Sequence, residues 1–180
     1  GFYRSRYGVD VAAERIIVTP GASGALLLAM AALVNPGDEV LLADPGYPAN
    51  RHFVRLMDGV PIGVAVGPDS NYQLRGEHLE RHWSHRTAAA LVATPSNPTG
   101  TLLTPVELQA MAEFTAARGG ALIVDEIYHG LVYDAAAPTA LALRDDVFVI
   151  NSFSKYFNMT GWRLGWMVAP ARYVEAIDRL

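Results

Sequence analysis

Cysteine is absent from this sequence of 180 residues. That excludes disulfide cross-links and thiolate chemistry, and it agrees with a reducing, cytoplasmic setting. Long basic runs are missing too: none exceeds two residues, and the formal net charge is −4, from 14 basic and 18 acidic residues. Nucleic acid, which asks for a basic patch or stripe, is not an expected partner. No apolar stretch is long enough for a bilayer helix and the first residues carry no signal-peptide pattern, so no membrane association is expected. What remains is apolar: 51% of the residues are hydrophobic, enough for the core of one domain and too many for a disordered chain.

Glycine and proline punctuate the apolar pattern. Strands are expected at 16–18, 40–42, 62–66, 88–93, 121–124 and 147–150. They alternate with helices at about 22–34, 49–57 and 77–85, and with one that opens at Pro105 and stops at Gly119-Gly120. Thr104 is its expected N-cap, with Glu107 completing a capping box. Residues 1–7 read as the tail of a helix stopped at Gly8, and 173–180 as a further helix. Near-continuous apolar strands alternating with helices imply an α/β three-layer sandwich on a mostly parallel sheet. One strand breaks the rule. Only about a dozen residues, with no helix among them, separate Ile150 from the apolar run 164–168. That is short for a parallel crossover, so this strand is expected to run antiparallel.

In open α/β sheets, ligands sit beyond the carboxyl ends of the strands, and the chemistry-bearing residues fall there. Lys155 follows the apolar run 147–150. An amine held against a buried strand is desolvated, which lowers its pKa and makes it a nucleophile toward carbonyls. The hydroxyls of Ser152 and Ser154 and the guanidinium of Arg163 are what a phosphate needs nearby. Ser152 is the expected ligand of the two, Ser154 a cap or packing group. Gly21-Ala22-Ser23-Gly24 opens a helix, where unpaired amides bind anions, although alone it is an ordinary turn sequence. Asp125 ends a buried strand, where a carboxylate needs a partner. His78, His82 and His85 share a helical face at a spacing that would suit zinc. Their neighbours Glu77, Glu80, Arg81 and Arg86 mark a solvated surface, and no metal site is assigned.

The segment Ser152 to Gly165 (Ser-Phe-Ser-Lys-Tyr-Phe-Asn-Met-Thr-Gly-Trp-Arg-Leu-Gly) strongly resembles the cofactor-lysine signature of class I/II aminotransferases, the fold-type I pyridoxal phosphate enzymes. Ser96-Asn97-Pro98-Thr99-Gly100 and the pair Asp125 and Tyr128 extend the resemblance over nearly the whole chain. It implies pyridoxal 5'-phosphate as cofactor and Lys155 as the aldimine lysine and catalytic base. Ala22, Ser23, Ser152 and Arg163 would bind the phosphate, Tyr47 would stack on the ring, and Asp125 would pair with the ring nitrogen. Asn97 and Tyr128 would hold the phenolic oxygen. Cis peptide bonds are expected at Asn97–Pro98 and Asp44–Pro45.

The reaction so implied moves an amino group between an amino acid and a 2-oxo acid, in a cytoplasmic homodimer of amino-acid metabolism. A lyase or synthase of the same fold, such as a carbon–sulfur β-lyase, shares these residues. So does an aminotransferase-like effector domain of a transcriptional regulator. The resemblance also implies that residues 1–180 are the cofactor-binding large domain of a longer protein. The arginine for the substrate α-carboxylate would lie beyond Leu180 and a tyrosine given to the neighbouring subunit before Gly1. These residues alone are therefore expected not to transaminate.

Overall fold

In the computed structural model, which describes residues 1–133 and 135–180, side chains alternate between two apolar layers on either face of one sheet. The strands are β1 (Ile16–Thr19), β2 (Glu39–Asp44), β3 (Val60–Ala65), β4 (Thr87–Ala93), β5 (Ala121–Asp125), β6 (Phe148–Ser152) and β7 (Gly165–Val168). Their order across the sheet is β1-β7-β6-β5-β4-β2-β3. Pairings among β3, β2, β4, β5 and β6 are parallel, whereas β7 pairs antiparallel with both β6 and β1. The expected three-layer α/β sandwich with one antiparallel strand is the observed fold.

The two faces separate by strand parity. Val40, Leu42, Ala89, Leu91, Ile123, Phe148 and Ile150 point to the layer of α2 (Gly21–Leu33), α3 (Ala49–Leu56) and α6 (Ala171–Asp178). Leu41, Ala90, Val92, Leu122, Val124 and Val149 face the layer of α1 (Phe2–Tyr7), α4 (Gly76–His82) and α5 (Pro105–Ala117). Helix α5 starts as expected: Thr104 Oγ1 accepts from the Glu107 amide at 3.2 Å, and Glu107 Oε2 accepts from the Thr104 amide at 2.8 Å. Helix α1 stops at Gly8, whose φ of 68° is left-handed and suits glycine.

Helix α4 ends at His82, short of the expected 85. Trp83 turns out of the helix at φ −72°, ψ 120° and meets Phe114 edge-on at 5.6 Å. Its indole also covers Gly120, where a Cβ would lie 2.5 Å from the ring. Packing across the layer has overridden helix propensity there.

Gly165, at the start of β7, touches the first turn of α2. A Cβ there would meet Gly21 C at 2.6 Å, Ala22 N at 2.8 Å and Asn151 O at 2.9 Å. All three are backbone atoms and have little room to yield. We predict that Gly165→Ala lowers the unfolding free energy by about 2 kcal/mol or more through overpacking. Gly76→Ala, where nothing lies within 4 Å, should change it by less than about 1 kcal/mol. Urea unfolding of both variants checks this, and equal effects would contradict it.

Candidate active site

Five strand ends supply the site. Thr19 of β1 leads into α2, Asp44 of β2 into the Tyr47 loop, and Ala93 of β4 into the Asn97 loop. Strand β5 ends at Asp125, and β6 ends at Ser152, three residues before Lys155. A cavity of about 230 Å³ forms over them. Ala22, Ser23, Tyr47, Asn97, Asp125, Tyr128, Lys155 and Arg163 all line it. Of the residues expected at the site only Ser152 is set back from the wall.

Part of the cavity wall is suited to an anion. Helix α2 has no side-chain N-cap, so its first amides are free to bind a ligand. Gly21 takes φ 76°, and its carbonyl accepts from Thr19 Oγ1 at 2.9 Å. The Arg163 guanidinium lies directly on Gly21: a Cβ there would be 2.6 Å from Arg163 Nη2. Arg163 itself is left-handed, at φ 53°, and Nη1 donates to the Thr160 carbonyl at 3.1 Å. No carboxylate pairs with Arg163 among the described residues. Its charge is left for something in the cavity.

The two serines divide their work differently from expectation. Ser152 is buried, and its hydroxyl donates to the Leu164 carbonyl at 2.9 Å. Ser154 stands on the wall, with its Oγ 2.6 Å from Ser152 Oγ. Ser152 thus meets the cavity through Ser154. Thr160, which the sequence reading passed over, also lines the cavity and donates to the Ser154 carbonyl at 2.7 Å.

The cavity also holds a desolvated acceptor. Asp125 is buried, and its Oδ1 accepts from the Ile127 amide at 3.0 Å. No cation pairs with it among the described residues, and burial pushes its pKa up to about 6. On the same wall, Asn97 Nδ2 donates to the Tyr128 hydroxyl at 3.4 Å. Lys155, the chain's only lysine, holds Nζ 5.6 Å from the Tyr128 ring centroid. Lys155 is exposed, contrary to the expected desolvation. Strand β6 has already ended, and the lysine loop opens onto the crevice. Tyr47 stands half-exposed on the same wall. Asp44–Pro45 and Asn97–Pro98 are cis as expected, and Thr94–Pro95 is cis as well.

The sequence profile described as aminotransferase class I and II matches residues 1–180. The chain belongs to this family. It is 39% identical over 180 residues to the valine–pyruvate aminotransferase of Mycobacterium tuberculosis, covering 99% of this chain and 46% of that protein. It is 34% identical over 199 residues to an aspartate aminotransferase of Sulfurisphaera tokodaii, covering 99% of this chain and 50% of that protein. Among solved structures, the aspartate aminotransferase of Thermus thermophilus with maleate superposes with a TM-score of 0.91 at 31% identity. That alignment covers 97% of this chain and 46% of the other. The chain thus spans about half the length of the relatives it matches. Class I and II aminotransferases are pyridoxal phosphate enzymes, and the cavity suits that molecule. An unpaired guanidinium, free helix amides and a buried carboxylate without a cation all meet there.

The burial of Asp125 has a measurable consequence. In the cofactor-free protein an ionised Asp125 is destabilising, fully so above pH 6 and not at all below its ordinary pKa of 3.8. The native state therefore holds the extra proton between those values, and this group makes stability rise as pH falls. The span is about 3 kcal/mol. We predict that Asp125→Asn is the more stable protein at pH 7 and loses that advantage by pH 4. Urea unfolding at the two pH values measures it, and an offset independent of pH would contradict it.

Proposed function

We propose that this chain is the cofactor-binding large domain of a pyridoxal phosphate-dependent aminotransferase, acting on an amino acid and a 2-oxo acid. The reading is carried by one observation. Arg163 and Lys155, from the loop between β6 and β7, and Asp125, at the end of β5, converge on one cavity, which so holds an amine, a cation without a carboxylate partner and a buried carboxylate without a cation. Family membership and the residue-by-residue match support it.

The residues divide the task by chemistry. The Arg163 guanidinium, the amides and hydroxyl at Ala22 and Ser23, and the Ser154 hydroxyl backed by Ser152 bind and orient a phosphate dianion. Tyr47 offers a flat face to an aromatic ring. Asp125 holds a proton on a ring nitrogen, since an ion pair there relieves its own desolvation. Asn97 and Tyr128 donate to a phenolic oxygen. Lys155 supplies the amine that anchors the cofactor and, as a base beside Tyr128, takes up and returns the substrate α-proton. Pyridoxal phosphate, when bound, supplies the electron sink that makes the α-C–H acidic.

We infer further that the full-length enzyme is a cytoplasmic homodimer of amino-acid metabolism. The absence of cysteine supports the compartment and the family resemblance the dimer, and a 36% identical relative named "Probable N-succinyldiaminopimelate aminotransferase DapC", of Mycobacterium tuberculosis, supports the metabolic role. Among the described residues no helix is long and apolar enough to cross a membrane.

An amino-donor panel on the full-length protein, scored by 2-oxo acid formation, tests the reading. We predict turnover with at least one donor, and a fall of about 10³-fold or more in Lys155→Ala. Borohydride should fix the cofactor on Lys155. Label on another lysine, or no donor turned over by protein that has taken up the cofactor, would overturn the proposal.

A further inference from the structure

Two loops carry the reactive side chains on this side of the cavity, and each is held by the residue next to its functional group. Lys155 is followed by Tyr156, and Tyr128 is followed by His129 and Gly130. The Tyr156 ring lies flat on the backbone of Gly130, where a Cβ would come within 2.3 Å of Tyr156 Cδ2 and 2.6 Å of Cγ. Only glycine admits that contact, and Gly130 also takes φ 98°. The Arg6 guanidinium of α1 sits over the same tyrosine ring, 4.7 Å from its centroid. The next residue of α1, Tyr7, places its hydroxyl 3.0 Å from Nδ1 of the buried His129. Helix α1 therefore grips both loops with consecutive residues, although neither Arg6 nor Tyr7 reaches the cavity.

We propose that Tyr156, clamped between Gly130 and Arg6, is a positioning residue that sets the distance between Lys155 Nζ and Tyr128, and that helix α1 is the lever that holds the clamp closed. The backbone of Lys155 is fixed through its neighbour, so its otherwise free side chain searches a smaller volume beside Tyr128. Tyr7 fixes the other jaw through His129. The spacing so set is the 5.6 Å separation of the amine and the Tyr128 ring. Its consequence for cofactor binding rests on the function proposed above, whereas the geometry does not.

The test separates the two. In cofactor-free full-length protein, lysines are dimethylated with ¹³C-formaldehyde, and the Lys155 resonance is identified by its loss in Lys155→Ala. Held near the Tyr128 ring, it should stand apart from the shift of a free dimethyl-lysine. In Tyr156→Ala and in Arg6→Ala it should move to that free value. Tyr156→Phe, which keeps the ring, and Arg6→Lys, which keeps the cation, should retain most of the displacement. A thermal melt of each variant is recorded alongside, because general destabilisation lowers the melting temperature without moving this resonance. In the second arm, visible absorbance follows pyridoxal phosphate uptake, and Tyr156→Ala should bind about tenfold more weakly. A Lys155 resonance unmoved in both alanine variants overturns the clamp, even where the wild type takes up the cofactor normally. So does equal collapse in the conservative variants. A resonance that moves as expected in a protein that takes up no cofactor upholds the clamp and removes the functional reading instead.

Discussion

The part of the cavity wall suited to an anion depends on a close approach between backbones that two glycines permit. Gly165 lets the first turn of α2 rest on β7, and Gly21 leaves room for the Arg163 guanidinium against that same turn. A side chain at either position would push the helix start, the strand or the arginine away by distances comparable to a hydrogen bond. The arginine is placed by local geometry as well: a left-handed residue between the short turn at Thr160–Trp162 and β7 aims it back at α2. The antiparallel course of β7 is what brings this about. A parallel strand would begin at the opposite end of the sheet, level with the start of β6, and Arg163 would lie far from the helix amides. Reversal, two glycines and one strained arginine thus produce a cation and several free N–H groups at a single point.

Much of the fold was legible in the sequence because the strands are buried on both faces and therefore read as unbroken apolar runs. Glycine and proline marked the ends of these runs, and the short link before β7 fixed its direction. The candidate site was legible for a related reason. Strand ends can be located to within a residue or two, and functional side chains sit just past them. What escaped depended on packing between distant segments. Trp83 leaves its helix for Gly120 and Phe114, contacts that no local pattern announces. The exchange of places between Ser152 and Ser154 follows from strand length: β6 runs two residues beyond the apolar stretch 147–150, so Ser152 is inside the sheet and Ser154 outside it. Lys155 is exposed for the same reason. The contacts of Arg6 and Tyr7 join segments more than a hundred residues apart, beyond any motif.

The end of β5 carries two adjacent carboxyl groups, and their opposite surroundings explain why only one is suited to face a ligand. Alternation sends Asp125 toward the cavity and Glu126 to the other face, beneath α1. Glu126 Oε1 accepts from Thr139 Oγ1 at 3.0 Å and from the Ala140 amide at 2.7 Å, more donors than Asp125 has. Burial nevertheless pushes the Glu126 pKa up to about 8, with the charge of Asp125 adding to the rise. Its near neighbour His129, 3.5 Å away, offers no compensating charge, because burial lowers its pKa to about 4. At neutral pH the buried cluster under α1 is therefore uncharged, and Asp125 carries the only negative charge at this strand end. A cation arriving in the cavity meets one carboxylate whose field is not shared with a second. On the hidden face desolvation outweighs the two hydrogen bonds that would favour a charged Glu126, and the charge is left to the side where a protonated ring nitrogen would sit. The fold achieves this with consecutive residues, using nothing more than the two-residue period of an extended chain.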